Sequence, residues 1–293
     1  MGATNEREFV LILFFQIIFQ LSYASSHHYE INHLEEVVKY SKIQSNTHSI
    51  FQTLVVFDLD NTLLAYQQSI GSDQWFRWQY EHLNQPHFPF AVAQSFMGLL
   101  EVQGKLHALA AARPTQKNTS TLIRSLQNQG YPILILTSRG PRFYPYTMRH
   151  LTSIQVDLSQ NAIPSSFPKN TFLPYQYSTL QKEGFSLKEI KNFHLLTSPR
   201  KVLYREGIFF SEGQHKGAML KLFLNHAKKK LKSILFIDDH RHHCDGVAKA
   251  LKNDPSLDVL TFRYGGEDHQ VEMFNRGSKD QAIREWLKIK KLF

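Results

Sequence analysis

The pattern of apolar and polar positions is one of short buried strands alternating with amphipathic helices. Residues 53–57 (Thr-Leu-Val-Val-Phe) form a nearly continuous apolar run rich in β-branched side chains. Such a run is too short for a helix and reads as a strand buried on both faces of a parallel sheet. Pro132-Ile133-Leu134-Ile135-Leu136 and Ser233-Ile234-Leu235-Phe236-Ile237 repeat the design, and Val259, Leu260 and Phe262 mark a fourth core strand. Between them, Leu122, Ile123 and Leu126 fall at helical spacing and stop at Gly130, a residue suited to the left-handed position after a helix. Met219, Leu220, Phe223 and Leu224 give residues 219–227 an apolar helical face, and residues 281–292 read as a closing basic helix. Residues 201–210 read as a β-hairpin turning near Glu206-Gly207. This alternation predicts an α/β fold built on a doubly wound parallel sheet.

Two stretches interrupt the pattern. Residues 63–113 form an insertion between the first strand and the next core helix, with Trp75, Phe76, Trp78 and Tyr80 close together, then Pro86 and Pro89. The prolines break any long helix, and residues 90–112 read as helical again, with Phe96, Leu99, Leu100 and Leu106 on an apolar face. We expect a small, mainly helical cap, whose aromatic group is either core or a surface that shapes substrate choice. Residues 141–195 carry Pro145, Pro164, Pro168 and Pro174 and read as irregular connections. The expected organisation is a core at 50–62 and 114–293, the cap at 63–113 and an N-terminal extension at 25–49.

Residues 1–24 resemble a targeting segment. Residues 9–21 are apolar apart from Gln16 and Gln20, too few to span a bilayer comfortably, and Ser22-Tyr23-Ala24 offers small residues for a signal peptidase. Cleavage after Ala24 is expected, which predicts an exported protein, periplasmic or secreted; an uncleaved segment would instead anchor it to a membrane. Cleavage also removes Glu6, Arg7 and Glu8, leaving 33 basic and 23 acidic residues and a net charge of +10. Such a balance favours anionic partners, small phosphorylated substrates among them. The basic residues are dispersed, and no nucleic-acid module surrounds them, so no specific nucleic-acid binding is expected. Cys244 is the only cysteine, so the chain forms no internal disulfide.

The candidate chemistry sits at the strand ends, where open α/β sheets bind ligands. The first strand runs into Asp58-Leu59-Asp60-Asn61-Thr62, the second into Thr137-Ser138-Arg139-Gly140, and the third into Asp238-Asp239; Lys216-Gly217 precedes a helix. Like charges held together need a cation or a shared proton. His240, His242, His243 and Cys244 follow the last carboxylates, but adjacent ligands in a run rarely converge on one ion, so they are expected at a pocket rim.

Taken in order, these four motifs resemble those of the haloacid dehalogenase superfamily, over about residues 50 to 265. Gly71-Ser72-Asp73-Gln74-Trp75-Phe76 and the hairpin before Lys216 look like a bacterial branch of it. The resemblance implies a Rossmann-like core and a phosphatase. Asp58 would attack phosphorus to give an aspartyl-phosphate, and Asp60 would protonate the leaving oxygen and then activate water. Mg²⁺ would be held by Asp58, Asp238 and the backbone carbonyl of Asp60. Thr137, with Ser138, and Lys216 would bind the phosphoryl oxygens, and Asp239 would orient Lys216 or a metal-bound water. An acid at position 60 separates phosphatases and phosphotransferases from the dehalogenases. A phosphotransferase, or a non-catalytic protein that binds a phosphorylated ligand, are the competing expectations.

Overall fold

The computed structural model describes residues 26–85 and 87–292. The targeting segment at residues 1–24 and the helix-breaking Pro86 lie outside the described residues. The chain opens with β1 (Ser26–Ile31), α1 (Glu35–Thr47) and β2 (Thr53–Phe57). It then passes through β3 (Leu64–Tyr66), α2 (Asp73–Glu81), α3 (Phe96–Leu109) and β4 (Ala112–Pro114). α4 (Thr119–Gln129), β5 (Ile133–Thr137), α5 (Tyr144–Ser153), α6 (Leu187–Asn192), β6 (Leu203–Arg205) and β7 (Ile208–Phe210) follow. The last elements are α7 (Lys216–His226), β8 (Ser233–Asp238), α8 (Arg241–Leu251), β9 (Asp258–Tyr264), α9 (Asp268–Arg276) and α10 (Asp280–Ile289).

The seven-stranded sheet has the order β1-β9-β8-β2-β5-β7-β6. Every neighbouring pair is parallel except β6 and β7, the hairpin. The apolar runs explain this burial on both faces. Because side chains alternate along a strand, Val55, Phe57, Ile133, Ile135, Leu235 and Ile237 point to one face. There they meet Val37 of α1, Ile123 and Leu126 of α4, and Leu151 of α5. The intervening Leu54, Val56, Leu134, Leu136, Ile234 and Phe236 point the other way, onto Ile190 of α6, Met219 and Phe223 of α7, and Val247 of α8. Each such side chain, fully buried, contributes roughly 1.5–3 kcal/mol. The fold is therefore α/β with a mostly parallel central sheet. Glu206 and Gly207 take φ of 51° and 78°, the left-handed pair that a two-residue hairpin loop of this twist requires.

Several elements differ from expectation. Residues 26–31, placed in an extension ahead of the core, are instead the edge strand β1, parallel to β9 in register from Ser26 with Val259 to Ile31 with Tyr264. Its sequence, Ser-His-His-Tyr-Glu-Ile, has no apolar run because a strand at the sheet edge is only half covered. Helix α5 occupies a stretch expected to be irregular; Pro145 falls in its first turn, where a missing N–H costs nothing. Helix α3 begins at Phe96 rather than at residue 90, where the Ser95 side chain accepts from the Gly98 N–H at 3.1 Å.

The cap is helical but rests on a two-stranded antiparallel base, β3 with β4, which closes the insertion where it leaves and rejoins the core. The C-terminal helices, assigned by sequence to the core, pack on the cap. Ala282, Phe274, Trp286 and Ile289 join Ile70, Trp75, Leu99 and Leu106 in one apolar cluster, and Glu285 accepts from the backbone N–H groups of Ser69 and Ile70 at 3.1 and 3.0 Å. The amphipathic stripe of α10 shows that it covers something apolar but not which surface. No helix among the described residues is long and apolar enough to cross a membrane.

Candidate active site

Strands β8, β2 and β5 are neighbours in the sheet, so their carboxyl ends bring Asp238, Asp58 and Thr137 to one edge. Lys216 opens α7 beneath them. That helix lies so close to α8 that a Cβ on Gly217 would stand 2.3 Å from the Gly246 carbonyl oxygen, which is why a glycine follows the lysine. The buried Lys216 Nζ donates to Asp58 Oδ1 at 2.5 Å and to Asp238 Oδ2 at 2.6 Å, bridging two carboxylates that are themselves buried. Thr62 Oγ1 donates to Asp58 Oδ2 at 3.2 Å and accepts from the Asp239 N–H at 3.1 Å. His243 Nδ1 donates to Asp238 Oδ1 at 3.0 Å, and the His240 N–H donates to the same oxygen at 2.9 Å.

Asp60 faces a different partner. Arg139, buried two residues after Thr137, grips it in a fork, Nε to Oδ2 at 2.8 Å and Nη2 to Oδ1 at 2.6 Å. The rest of the guanidinium donates to Thr147 Oγ1 at 3.0 Å and to the Tyr66 hydroxyl at 3.2 Å, and that hydroxyl bonds His107 Nδ1. Asn61 turns the chain immediately after the second carboxylate with φ of 56°, a left-handed conformation that asparagine tolerates better than most residues. Asp58 meets Lys216 and Asp60 meets Arg139.

Oxygens of Asp58, Asp238 and Asp239 lie within 4.8 Å of one another. Burial, joined by repulsion from Asp238 and Asp239, raises the Asp58 carboxyl well above the usual range in spite of Lys216. Burial likewise lifts Asp239 to about 6. At Asp238 burial pushes upward too, but Lys216 and His243 outweigh it and hold that carboxyl low. Burial works against the charge of Lys216, yet Asp238 and Asp58 raise it above the ordinary lysine value. Burial works against the charge of His240, yet its hydrogen bond to Asp239 raises it to about 9, so two buried carboxylates and the half-buried Asp239 stand against one ammonium and one imidazolium, an excess of negative charge that a hard cation at their common point would cancel. An all-oxygen donor set suits Mg²⁺ rather than a softer metal.

The structure thus gathers Asp58, Asp238, Asp239 and Lys216 and sets Thr137 at the adjoining strand end. Thr137 Oγ1 is buried and accepts from the Arg139 N–H at 3.1 Å; Ser138 is exposed. Asp239 does not orient Lys216. It accepts from His240 Nδ1 at 2.8 Å, and His240 also meets Arg77 and Asp73 of the cap helix α2. The His-Cys run forms no common metal site among the described residues: Cys244 Sγ is buried against the Phe262 carbonyl, while His242 and His243 line a cavity. The sequence reading assigned no role to Arg139, Tyr66, His107 or Thr62. Arg139 lies within the second motif, but its partner Asp60 is 79 residues away in sequence, and no local pattern links them. The cap aromatics do not gather at the site. Trp75 is buried in the cluster shared with α10.

A protein from Chlamydia pneumoniae whose name assigns it, provisionally, to the outer membrane is 22% identical over 233 residues, 79% of this chain and 75% of that protein. The family model described as "Protein of unknown function (DUF2608)" matches residues 30–293, from the edge strand through the helices that close on the cap. The expectation of a haloacid dehalogenase therefore gives way to a coarser statement: the chain belongs to the DUF2608 family.

Proposed function

We propose that this protein is a Mg²⁺-dependent phosphomonoester hydrolase that works through an aspartyl-phosphate on Asp58. The family description carries no activity, so the reading rests on the site and on the resemblance of its motifs to haloacid dehalogenase phosphatases. One observation carries it: a buried ammonium bridging carboxylates at the ends of two adjacent parallel strands, beside a third carboxylate. In that arrangement Lys216 holds one carboxylate oxygen of Asp58 and the Thr62 hydroxyl holds the other, which fixes the orientation of the proposed nucleophile. Asp58, Asp238 and the Asp60 carbonyl would hold Mg²⁺, which supplies the charge neutralisation that lets a carboxylate approach a phosphate dianion.

The chain's own groups divide the remaining work. Asp58 attacks phosphorus, the ester oxygen departs, and water later attacks the same phosphorus to restore Asp58. Lys216 holds Asp58 in position and offsets charge on the phosphoryl oxygens, with Thr137 and Ser138 at the adjoining strand end as further hydrogen-bond donors. Asp60 gives a proton to the leaving oxygen and then takes one from the attacking water. The Arg139 fork fixes the direction in which the Asp60 carboxyl group points for both tasks. The targeting segment and the name of the chlamydial relative support export, to the periplasm or beyond.

Release of p-nitrophenolate from p-nitrophenyl phosphate tests the proposal. Turnover should require Mg²⁺ and vanish in Asp58→Asn, an isosteric change that cannot attack phosphorus. Wild-type turnover in that variant would refute the nucleophile, and phosphate binding without turnover in the wild type would leave a binding protein.

A further inference from the structure

Helix α10 meets the cap through Ala282, Glu285, Trp286 and Ile289. The opposite side, at helical spacing, carries Arg284, Leu287, Lys288 and Lys291, all exposed. Asp280 begins that side, and beyond it the only acid through residue 292 is Glu285, which is turned inward onto the Ser69 and Ile70 N–H groups. Four basic residues, Arg284, Lys288, Lys290 and Lys291, therefore share this end of the chain with no outward carboxylate among them.

Apolar grooves flank the helix. One, of about 360 Å³, has Leu106, Leu109 and Ile289 in its wall, with Leu292 and Lys288 beside them. The other sets Phe90 and Val92 of the cap against Leu287 and Lys290. Leu109, Leu287 and Leu292 are 56, 49 and 70% exposed, so they project from the surface and do not line a closed pocket. Single exposed leucines are ordinary, but several gathered beside lysines mark a contact surface.

We propose that this face, formed by the cap and α10, binds the surface of an anionic lipid bilayer, with the leucines and Phe90 entering the acyl boundary and the lysines meeting the headgroups. Charge selects the occupant. A second copy of the chain, applied about a two-fold axis, would set lysine against lysine, whereas anionic headgroups answer every cation on the face. The methylene stems of Lys288 and Lys290 can lie along the groove walls while their ammonium groups stay among the headgroups. Shape favours a bilayer over a protein partner, because the apolar side chains are divided between two grooves with a helix between them, and fluid lipid needs no matching ridge. The proposal is independent of the hydrolase reading.

Co-sedimentation with vesicles tests it, using the chain from Ser25 so that residues 1–24 take no part. At about 0.1 M NaCl the protein should partition at least about tenfold more strongly onto vesicles containing phosphatidylglycerol than onto phosphatidylcholine alone, and added salt should weaken that preference. Lys288→Gln, Lys290→Gln and Lys291→Gln together should remove it. The same change of net charge made at exposed Lys228, Lys230 and Lys252 should leave it within about twofold. Leu109→Ser with Leu292→Ser should weaken binding to the anionic vesicles by about tenfold, with the melting temperature unchanged because both positions are exposed. Equal losses in the two lysine variants would overturn the proposal, since the net charge of the whole chain would then be the cause. Wild-type binding by the leucine variant, equal binding to both vesicles, or binding to neither would also overturn it and leave the face to a protein partner.

Discussion

Asp58 and Asp60 are two residues apart and live in different electrostatic surroundings. Asp58 is buried among carboxylates and one ammonium, whereas Asp60 keeps some contact with solvent and is fixed by a bidentate arginine. Division of two carboxylates into separate environments is how a site assigns them separate roles. On the proposed hydrolase mechanism Arg139 is a positioning residue. Arg139→Lys keeps the charge but loses the planar fork, and should lower kcat for alkyl phosphates by about tenfold while reducing turnover of p-nitrophenyl phosphate much less. The contrast arises because p-nitrophenolate departs with little protonation; an equal loss on both substrates would separate Arg139 from the acid. Arg139→Met goes further, leaving Asp60 and the Tyr66 hydroxyl without their partner. Because Asp60 can turn to water, we expect a cost at the lower end for a broken pair, about 2–3 kcal/mol in denaturant unfolding.

At the scale of elements, the cap and the C-terminal helices behave as one packed unit. Trp75 is fully buried, and Trp78 meets Phe274 edge to face at 6.2 Å. Trp75→Ala should therefore cost about 3–5 kcal/mol of stability and leave the ranking of phosphate esters unchanged. A changed ranking with an unchanged melting temperature would return the cap aromatics to the role of specificity surface. Glu285 joins the same unit through two backbone N–H groups. Glu285→Ala strands both in a partly buried position, and a loss of about 1–3 kcal/mol is expected by the same unfolding measurement.

For the whole molecule, a second polar layer lies under the site and gives stability a dependence on pH. His107 is buried, and burial first, with Arg139 and His150 adding, keeps its pKa well below the ordinary imidazole value. The sign follows: as pH falls through about 6.5, the unfolded chain takes up the proton before the folded one does. The contribution of His107 is complete above that pH and is lost progressively below it, at about 1.4 kcal/mol for each pH unit. The share due to His107, read as the difference in unfolding free energy between the wild type and His107→Gln, should thus decline from pH 7 to pH 5. Identical slopes would place the acid sensitivity elsewhere.

Features with local causes were legible in the chain alone. Apolar runs too short for helices made β2, β5 and β8, and the carboxylates and hydroxyls that end them were legible because a parallel sheet carries its ligands at strand ends. Lys216 and the hairpin before it were legible for the same reason, as residue types fixed by a turn or a helix start. Tertiary structure decided the pairings that bridge long separations. His27 and His28 gave no local sign of a strand, and only β9, more than 200 residues away, supplies the hydrogen-bond partners that make one. Arg139 acquired its meaning when the sheet order set β5 beside β2 and brought Asp60 within reach of its fork. The stripe on α10 specified burial without naming a partner, since the hydrophobic effect is non-directional; the cap claimed it through the shape of the Trp75 cluster.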